Sequence, residues 1–240
     1  MRVEKPVADR ASPRFAPTTL QVPSLVDVLY ADIRERILTG ALPGGSSVTE
    51  MDLATQYSVA RPTAKASMER LAQEGLLHRA SHKTARVPVL GVEDIRDLYY
   101  SRAFLEREVV MALAEQRLVP EKARASLRRL RDVETNPPLV EVVNVDVSFH
   151  SELVDAIGSP RLNRMYRSLM AEVRLCMAQV QANHLLSPSR IADEHSAILD
   201  RIENGDVDGA LMHITEHLEQ ARTRLIAHVG SVAGKPEQRL

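Results

Sequence analysis

Apolar residues recur along this chain at three- and four-residue intervals, and that spacing predicts helices almost throughout. Leu25, Val28, Leu29, Ile33 and Ile37 line one face of a first helix from about Ser24 to Thr39, which Gly40 stops. A turn through Leu42-Pro43-Gly44-Gly45 follows, then a short helix capped by Thr49 and running to about Tyr57, then one from about Arg61 to Glu74 ended by Gly75. The period then changes. Leu76–Arg79 and Ala85–Val89, joined by Ser81-His82-Lys83-Thr84, read as the two strands of a hairpin. A helix, a helix-turn-helix and a two-stranded wing together predict a winged helix over residues 24–90.

Beyond Gly91 only helical signals remain, over about Glu93–Leu118, Pro120–Glu134, Pro138–Ile157, Pro160–Asn183, Pro188–Glu203 and Asp206–Val229. Gly158-Ser159-Pro160, Ser187-Pro188 and Asn204-Gly205-Asp206 supply the stop, cap and first-turn signals between them. The expected fold is therefore mainly α: an N-terminal winged helix-turn-helix and a C-terminal bundle of six helices over residues 91–230. Residues 1–23, broken by Pro6, Pro13, Pro17 and Pro23 and without periodicity, read as a disordered arm, and residues 231–240 as a flexible tail.

Composition narrows this picture. Apolar residues make up 44% of the 240, enough for a sizeable core, and aromatic residues only 3%, which suits helices better than strands. The single cysteine, Cys176, cannot form an intramolecular disulfide, and neither a signal-peptide pattern nor a long apolar run appears, so a cytoplasmic protein without a membrane span is expected. The net charge of −1 hides a local asymmetry. Between Tyr57 and Leu90 stand Arg61, Lys65, Arg70, Arg79, Lys83 and Arg86 against Glu69 and Glu74, as a DNA-binding face requires.

The winged helix assigns roles to several of these residues. Arg61, Thr63 and Lys65, at the start of the second helix of the helix-turn-helix, are placed for base edges and phosphates in the major groove, with Thr49 capping the helix before it. His82 and Lys83 at the wing tip approach the minor groove or the backbone, and Arg34 on the first helix reaches a phosphate.

The bundle carries chemistry in its interior. Asp146 and His150 lie one turn apart in a stripe made by Val143, Leu153, Val154 and Ile157, His195 lies among Ile191, Ile198, Leu199 and Ile202, and His217 borders Leu211, Ile214, Leu218 and Leu225. His213 falls further toward solvent, and His184, on an apolar face at a helix end, reads as structural. Three imidazoles and one carboxylate suit a divalent metal, zinc first, with nickel, manganese and iron sharing the donor set. Arg102 and Glu106 interrupt the stripe of Ile95, Leu98, Tyr99, Val109 and Leu113. They read either as a buried ion pair or, for Arg102, as a clamp on an effector carboxylate, with Tyr99 and Asn183 as further pocket candidates.

Ile33-Arg34-Glu35-Arg36-Ile37-Leu38-Thr39-Gly40, the Leu-Pro-x-Gly turn, Thr49-Glu50-x-x-Leu53-Ala54, Arg61 and Arg70-Leu71-x-x-Glu74-Gly75-Leu76-Leu77 together resemble the N-terminal domain of GntR-type bacterial transcriptional regulators. The second half, with Arg102, Asp146-x-x-Phe149-His150, Glu194-His195-x-x-Ile198 and His217, resembles the ligand-sensing domain of the FCD subgroup. Four positions depart from that pattern: Met51 and Lys65 replace arginines, Ala60 a capping Ser or Thr, and Thr84 a wing-tip glycine. Lys65 lacks the bidentate fork that arginine offers guanine, so the operator does not transfer from the family.

The resemblance implies a homodimer on a pseudo-palindromic operator, a small carboxylate effector held at the metal with Arg102 as clamp, and repression as the expected sign of control. Two other readings remain at this point: a metal-dependent enzyme, for which Glu106 and Glu194 are the nearest acid or base, and a metal-free sensor of acyl-CoA type.

Overall fold

A computed structural model of the chain describes residues 23–79, 84–132, 138–180 and 187–233. Residues 1–22 of the predicted arm, 234–240 of the predicted tail, the wing-tip residues His82 and Lys83, and Asn183 and His184 lie outside the described residues, while 231–233, expected in the tail, continue the last helix.

Helix α1 (Leu25–Leu38) begins with a capping box, in which the Ser24 hydroxyl accepts from the Asp27 amide and the Asp27 carboxylate accepts from the Ser24 amide. It buries Leu29, Ile33 and Ile37, each one turn from the next. Strand β1 (Ser47–Val48) leads into α2 (Glu50–Gln56), capped by the Thr49 hydroxyl, and α3 (Arg61–Gln73) follows with Pro62 in its first turn. Ala60 caps α3 without offering it any side-chain acceptor. Gly75, at a φ of +75°, turns the chain into Leu76 and Leu77, and both leucines are buried beneath the three helices.

The wing differs from the predicted hairpin. Strand β2 (Ala85–Arg86) pairs antiparallel with β1, Val48 opposite Ala85, while the expected Leu76–Arg79 strand contributes a single bridge from His78 to Arg86. Two consecutive leucines facing one core break the alternation a half-buried strand needs, and β1 is too short to register as a period.

The six remaining helices are α4 (Val92–Gln116), α5 (Glu121–Asp132), α6 (Leu139–Asp155), α7 (Pro160–Gln179), α8 (Pro188–Asn204) and α9 (Val207–Ala233). Ser159 and Ser187 cap α7 and α8 through their hydroxyls, and Gly205, at a φ of +71°, closes α8. Helix α4 runs against α9, α6 packs between α5 and α7, and α8 lies beside α5 and α9.

The chain forms two apolar cores. One lies under α1, α2, α3 and the wing, the other inside the bundle, and α7 contributes to both. Its Tyr166, Met170, Val173 and Cys176 face the bundle, while Ala171 and Leu175 enter the core of the winged helix. Gln179 adds a polar tie: its Oε1 accepts from the Leu90 amide at 3.0 Å and its Nε2 donates to the Pro88 carbonyl at 2.6 Å.

Candidate metal centre and nucleic-acid interface

Three helices bring the ionisable residues of the bundle to one point. Helix α6 supplies Asp146 and His150, α8 His195 and α9 His217, and all four side chains are buried. One potential ligand atom from each lies within 4.8 Å of the others. Nε2 of His150 and of His217 are 3.1 Å apart. Asp146 Oδ1 is 3.3 Å from His195 Nε2 and 3.8 Å from His150 Nε2. The Phe149 ring stacks on His195 at 3.7 Å and fixes its plane.

The outer nitrogens of two of these rings meet carboxylates. Glu106 Oε2 is 2.7 Å from His150 Nδ1, and Glu194 Oε2 is 2.7 Å from His217 Nδ1. The hydrogen bond to Glu194 assigns the His217 ring proton to Nδ1 and leaves its Nε2 lone pair facing inward, while His150 Nδ1 approaches Glu106 Oε2 without the alignment of a hydrogen bond. His150 Nε2 faces that lone pair at 3.1 Å, and a shared cation would let both nitrogens coordinate at once. His195 points the same way, since its buried Nδ1 has no hydrogen-bond partner among the described residues and its Nε2 meets only Asp146 Oδ1, at 3.3 Å. The donor set thus fits a metal ion.

Electrostatics prepares these groups for a cation. Burial holds all three imidazoles below the ordinary histidine pKa, and so neutral. Burial alone would raise Asp146, but the His195 contact and the nearby His150 hold it below the usual carboxylate range. Glu106 is likewise kept ionised against its burial, first by Arg102 and then by His150.

Glu106 forms the ion pair with Arg102 that its spacing suggests, and it also reaches the histidine cluster. Its Oε1 accepts from Arg102 Nε at 2.8 Å and from the Tyr166 hydroxyl at 2.8 Å, while Oε2 meets His150. Arg102 has an Nη2 with no hydrogen-bond partner among the described residues, its guanidinium lies over the Tyr99 ring at 5.0 Å, and the buried Tyr99 hydroxyl is also unpartnered. Sequence reasoning missed Tyr166 and the positioning role of Glu194. Tyr166 looks like one more apolar-face residue on α7, and the contact between Glu194 and His217 spans two helices, so no periodicity reveals it.

On the winged helix, Arg61 and Lys65 are exposed and Thr63 half-buried along the first turns of α3. Arg61 makes no ion pair among the described residues, whereas Lys65 approaches Glu69 at 3.7 Å. Thr49, Met51, Arg61 and Thr84 border one shallow depression between α2, α3 and the wing. Arg34 is placed elsewhere. It pairs with Glu74 at 3.2 Å in a cleft between α1 and the bundle.

Two family models cover most of the chain: bacterial regulatory proteins of the gntR family over residues 25–87, and the FCD domain over residues 97–220. The chain is a GntR-family transcriptional regulator of the FCD group. Among curated relatives, the Nta operon transcriptional regulator of Aminobacter aminovorans is 28% identical over 178 residues, 73% of this chain and 84% of that one. A probable D-xylose utilization operon transcriptional repressor of Paenarthrobacter nicotinovorans is 26% identical over 211 residues, 88% of this chain and 90% of that one.

A solved structure of a GntR regulator from Rhodococcus sp. RHA1 superposes with a TM-score of 0.73 at 21% identity, covering 84% of this chain and 97% of that one. McbR/YncC of E. coli gives 0.68 at 19%, covering 86% and 99%. These likenesses agree with the winged helix and helical bundle described above. The GntR-FCD regulators bind DNA operators, usually as dimers, and are not enzymes as a family. No described helix of this regulator is long and apolar enough to cross a membrane.

Proposed function

We propose that this GntR-FCD regulator acts in the cytoplasm as a homodimer on a pseudo-palindromic operator, and that it senses a small organic carboxylate at a divalent metal held by Asp146, His150, His195 and His217. The observation that carries the metal is the facing pair of Nε2 atoms, 3.1 Å apart, each on a ring whose other nitrogen lies 2.7 Å from a carboxylate. Zinc suits this set of three nitrogens and one oxygen best, and nickel, manganese and iron accept the same donors. The metal supplies a positive charge with coordination positions for an effector carboxylate. Arg102, with its unpartnered Nη2 beside Tyr99, is the group that binds the rest of that carboxylate. Asn183 stays a candidate from the sequence alone.

Base contacts are proposed for Arg61 and Thr63, phosphate contacts for Lys65, His82 and Lys83, and a helix-positioning role for Thr49. Repression is the expected sign, in keeping with the D-xylose relative's description as a repressor. A catalytic role for the centre is disfavoured because both nearby acids are engaged: Glu106 by Arg102, Tyr166 and His150, Glu194 by His217 and Arg190.

Protein purified without chelator or affinity tag should carry about one divalent ion per chain and bind its own promoter region selectively, with an affinity that one class of small carboxylate shifts. Metal-free protein whose Asp146→Ala and His150→Ala variants keep the full effector response would overturn the metal reading in favour of an acyl-CoA-type sensor. Turnover of such a carboxylate would favour an enzyme.

A further inference from the structure

The cleft between the winged helix and the bundle has a volume of about 560 Å³ and is lined from both sides. Tyr30 and Arg34 of α1 and Glu74 at the end of α3 form one wall, and Asn144 of α6 with Arg167 and Arg174 of α7 form the other. Its size lies within the usual range for small-ligand sites. Its charge is unbalanced. Glu74 is engaged by the Tyr30 hydroxyl and by Arg34 at 3.2 Å, so it is spent on its own side of the cleft. The other carboxylate on the lining, Glu35, is solvent-exposed at the rim.

Opposite stand two guanidiniums without a carboxylate. Arg167 Nε donates only to the Asn163 carbonyl of its own helix. Arg174 makes no hydrogen bond or ion pair among the described residues, and its Nε is fully buried and unsatisfied. Burial, and next the Arg34 charge beside it, pull the Arg174 pKa down to about 10, with Glu74 acting against them. A half-buried guanidinium whose buried Nε has no acceptor is costly, and one that shares a cleft with the exposed Arg167 and with Arg34 is placed for an oxyanion.

We propose that this cleft binds a small doubly charged oxyanion, a phosphate group or a dicarboxylate, clamped by Arg174 and Arg167 from the bundle with Arg34 and Asn144 beside it. Such an anion joins the two parts of the molecule across the seam where α7 meets the winged helix, and so gives operator binding a second input. The site uses none of the metal ligands, and it stands whether or not the metal reading holds.

The test uses the full chain at constant ionic strength, with chloride replaced in turn by inorganic phosphate, a sugar monophosphate and succinate. Calorimetry and thermal melting read binding, and fluorescence anisotropy on the promoter fragment reads the operator. One of these anions should bind saturably and raise the melting temperature of the wild type, and should change the operator Kd at least threefold. Arg174→Gln should weaken that anion at least tenfold, and because it removes a half-buried charge that has no partner it should fold as stably as the parent. Asn144→Asp, which sets a carboxylate in the cleft, should abolish the response by supplying the anion internally.

His195→Ala, which disables the metal centre, should keep the anion response in full, so the two sites fail separately. Phosphate, the sugar phosphate and succinate distinguish a free inorganic ion, a phosphorylated metabolite and a dicarboxylate as the source. No saturable binding beyond chloride, wild-type binding by Arg174→Gln, loss of the response in His195→Ala, or an operator Kd unmoved at saturation would each overturn the proposal.

Discussion

Glu194→Gln isolates the part of the metal centre that depends on the orientation of one ring. Glu194 Oε2 holds His217 Nδ1 at 2.7 Å, while its Oε1 accepts from Arg190 Nε at 2.9 Å and lies 4.0 Å from Arg224 Nη1. Those contacts, the His217 hydrogen bond foremost among them, keep the Glu194 carboxyl ionised, with a pKa pulled down to about 2 despite partial burial. Glutamine keeps the shape and an acceptor oxygen but loses the charge.

A hydrogen bond to a charged partner contributes about 1.5–3 kcal/mol and a neutral one about 0.5–1.5, so the exchange costs about 1–1.5 kcal/mol of ring anchoring. That corresponds to about tenfold in metal affinity, within the about 10- to 100-fold found for outer-shell partners. Loss of the negative charge also leaves Arg190 and Arg224 nearer in net effect to the bound cation, which moves the expectation toward about thirtyfold.

Competition against a chromophoric chelator at pH 7 measures the affinity, and melting in excess chelator checks that the metal-free fold is unchanged. Arg190→Gln, which disturbs only the exposed side of the carboxylate, should stay within about threefold of wild type. The reasoning fails if Glu194→Gln binds zinc within twofold of wild type while His217→Ala loses at least a hundredfold. His217 would then ligate without needing its anchor.

Three further outcomes follow from the same geometry. Arg61→Ala should cost about 1–3 kcal/mol in operator binding and relax selectivity at one base pair, whereas Lys65→Ala should weaken all sequences alike and reduce the salt slope by about one, both read by anisotropy over a salt series. Arg102→Met should destabilise the protein by about 3–5 kcal/mol, because Glu106 would remain buried and ionised beside Tyr166 without its cation, and a melting temperature within about 2 °C of wild type would contradict this.

In chelator, stability should fall as pH drops below the ordinary histidine value of about 6.5. His150, His195 and His217 have folded-state pKa values below it, so the unfolded chain binds more protons in that window, and the loss approaches about 4 kcal/mol per pH unit for three rings. Zinc should move the loss to lower pH, and a melting temperature flat from pH 7 to 5 without metal would refute it.

The sequence exposed this site because helical period and chemistry coincide at its four candidate ligands. Asp146 and His150 interrupt an apolar stripe at the spacing of one turn, and His195 and His217 each intrude on another stripe, so a wheel alone marks them as buried and in need of partners. Helix ends were legible for a similar reason, since Ser159, Ser187 and Gly205 act within a turn of their own position. What stayed hidden has the opposite property. Glu106 pairs with Arg102 one turn away as the spacing suggests, but its second oxygen faces His150 on another helix. Arg34 meets Glu74, forty residues away, at the cleft. Strand β2 pairs with two residues near position 47 as well as bridging to His78, a long-range choice that no local period records.

Helix α7 shows how far this reaches into function. Its apolar pattern reads as one face of a bundle helix, but it has two: Tyr166 and Val173 serve the bundle, while Ala171 and Leu175 complete the core of the winged helix. Tyr166 donates to the carboxylate that orients His150, and on the same helix Arg167 and Arg174 line the cleft against α1. Any change at the metal that repositions His150 must therefore be met at Glu106 and Tyr166, on an element whose other face cannot shift without disturbing Ala171 and Leu175. Close-packed cores resist gradual deformation and pass between discrete arrangements, so a rigid helix shared by two cores converts a small local displacement into a reorientation of the DNA-reading unit. Tyr166→Phe tests this link. It keeps the packing and removes one hydrogen bond to Glu106, and it should leave metal and operator affinities near wild type while reducing the factor by which effector shifts operator binding. An unchanged shift would mean that the coupling runs through contacts other than α7.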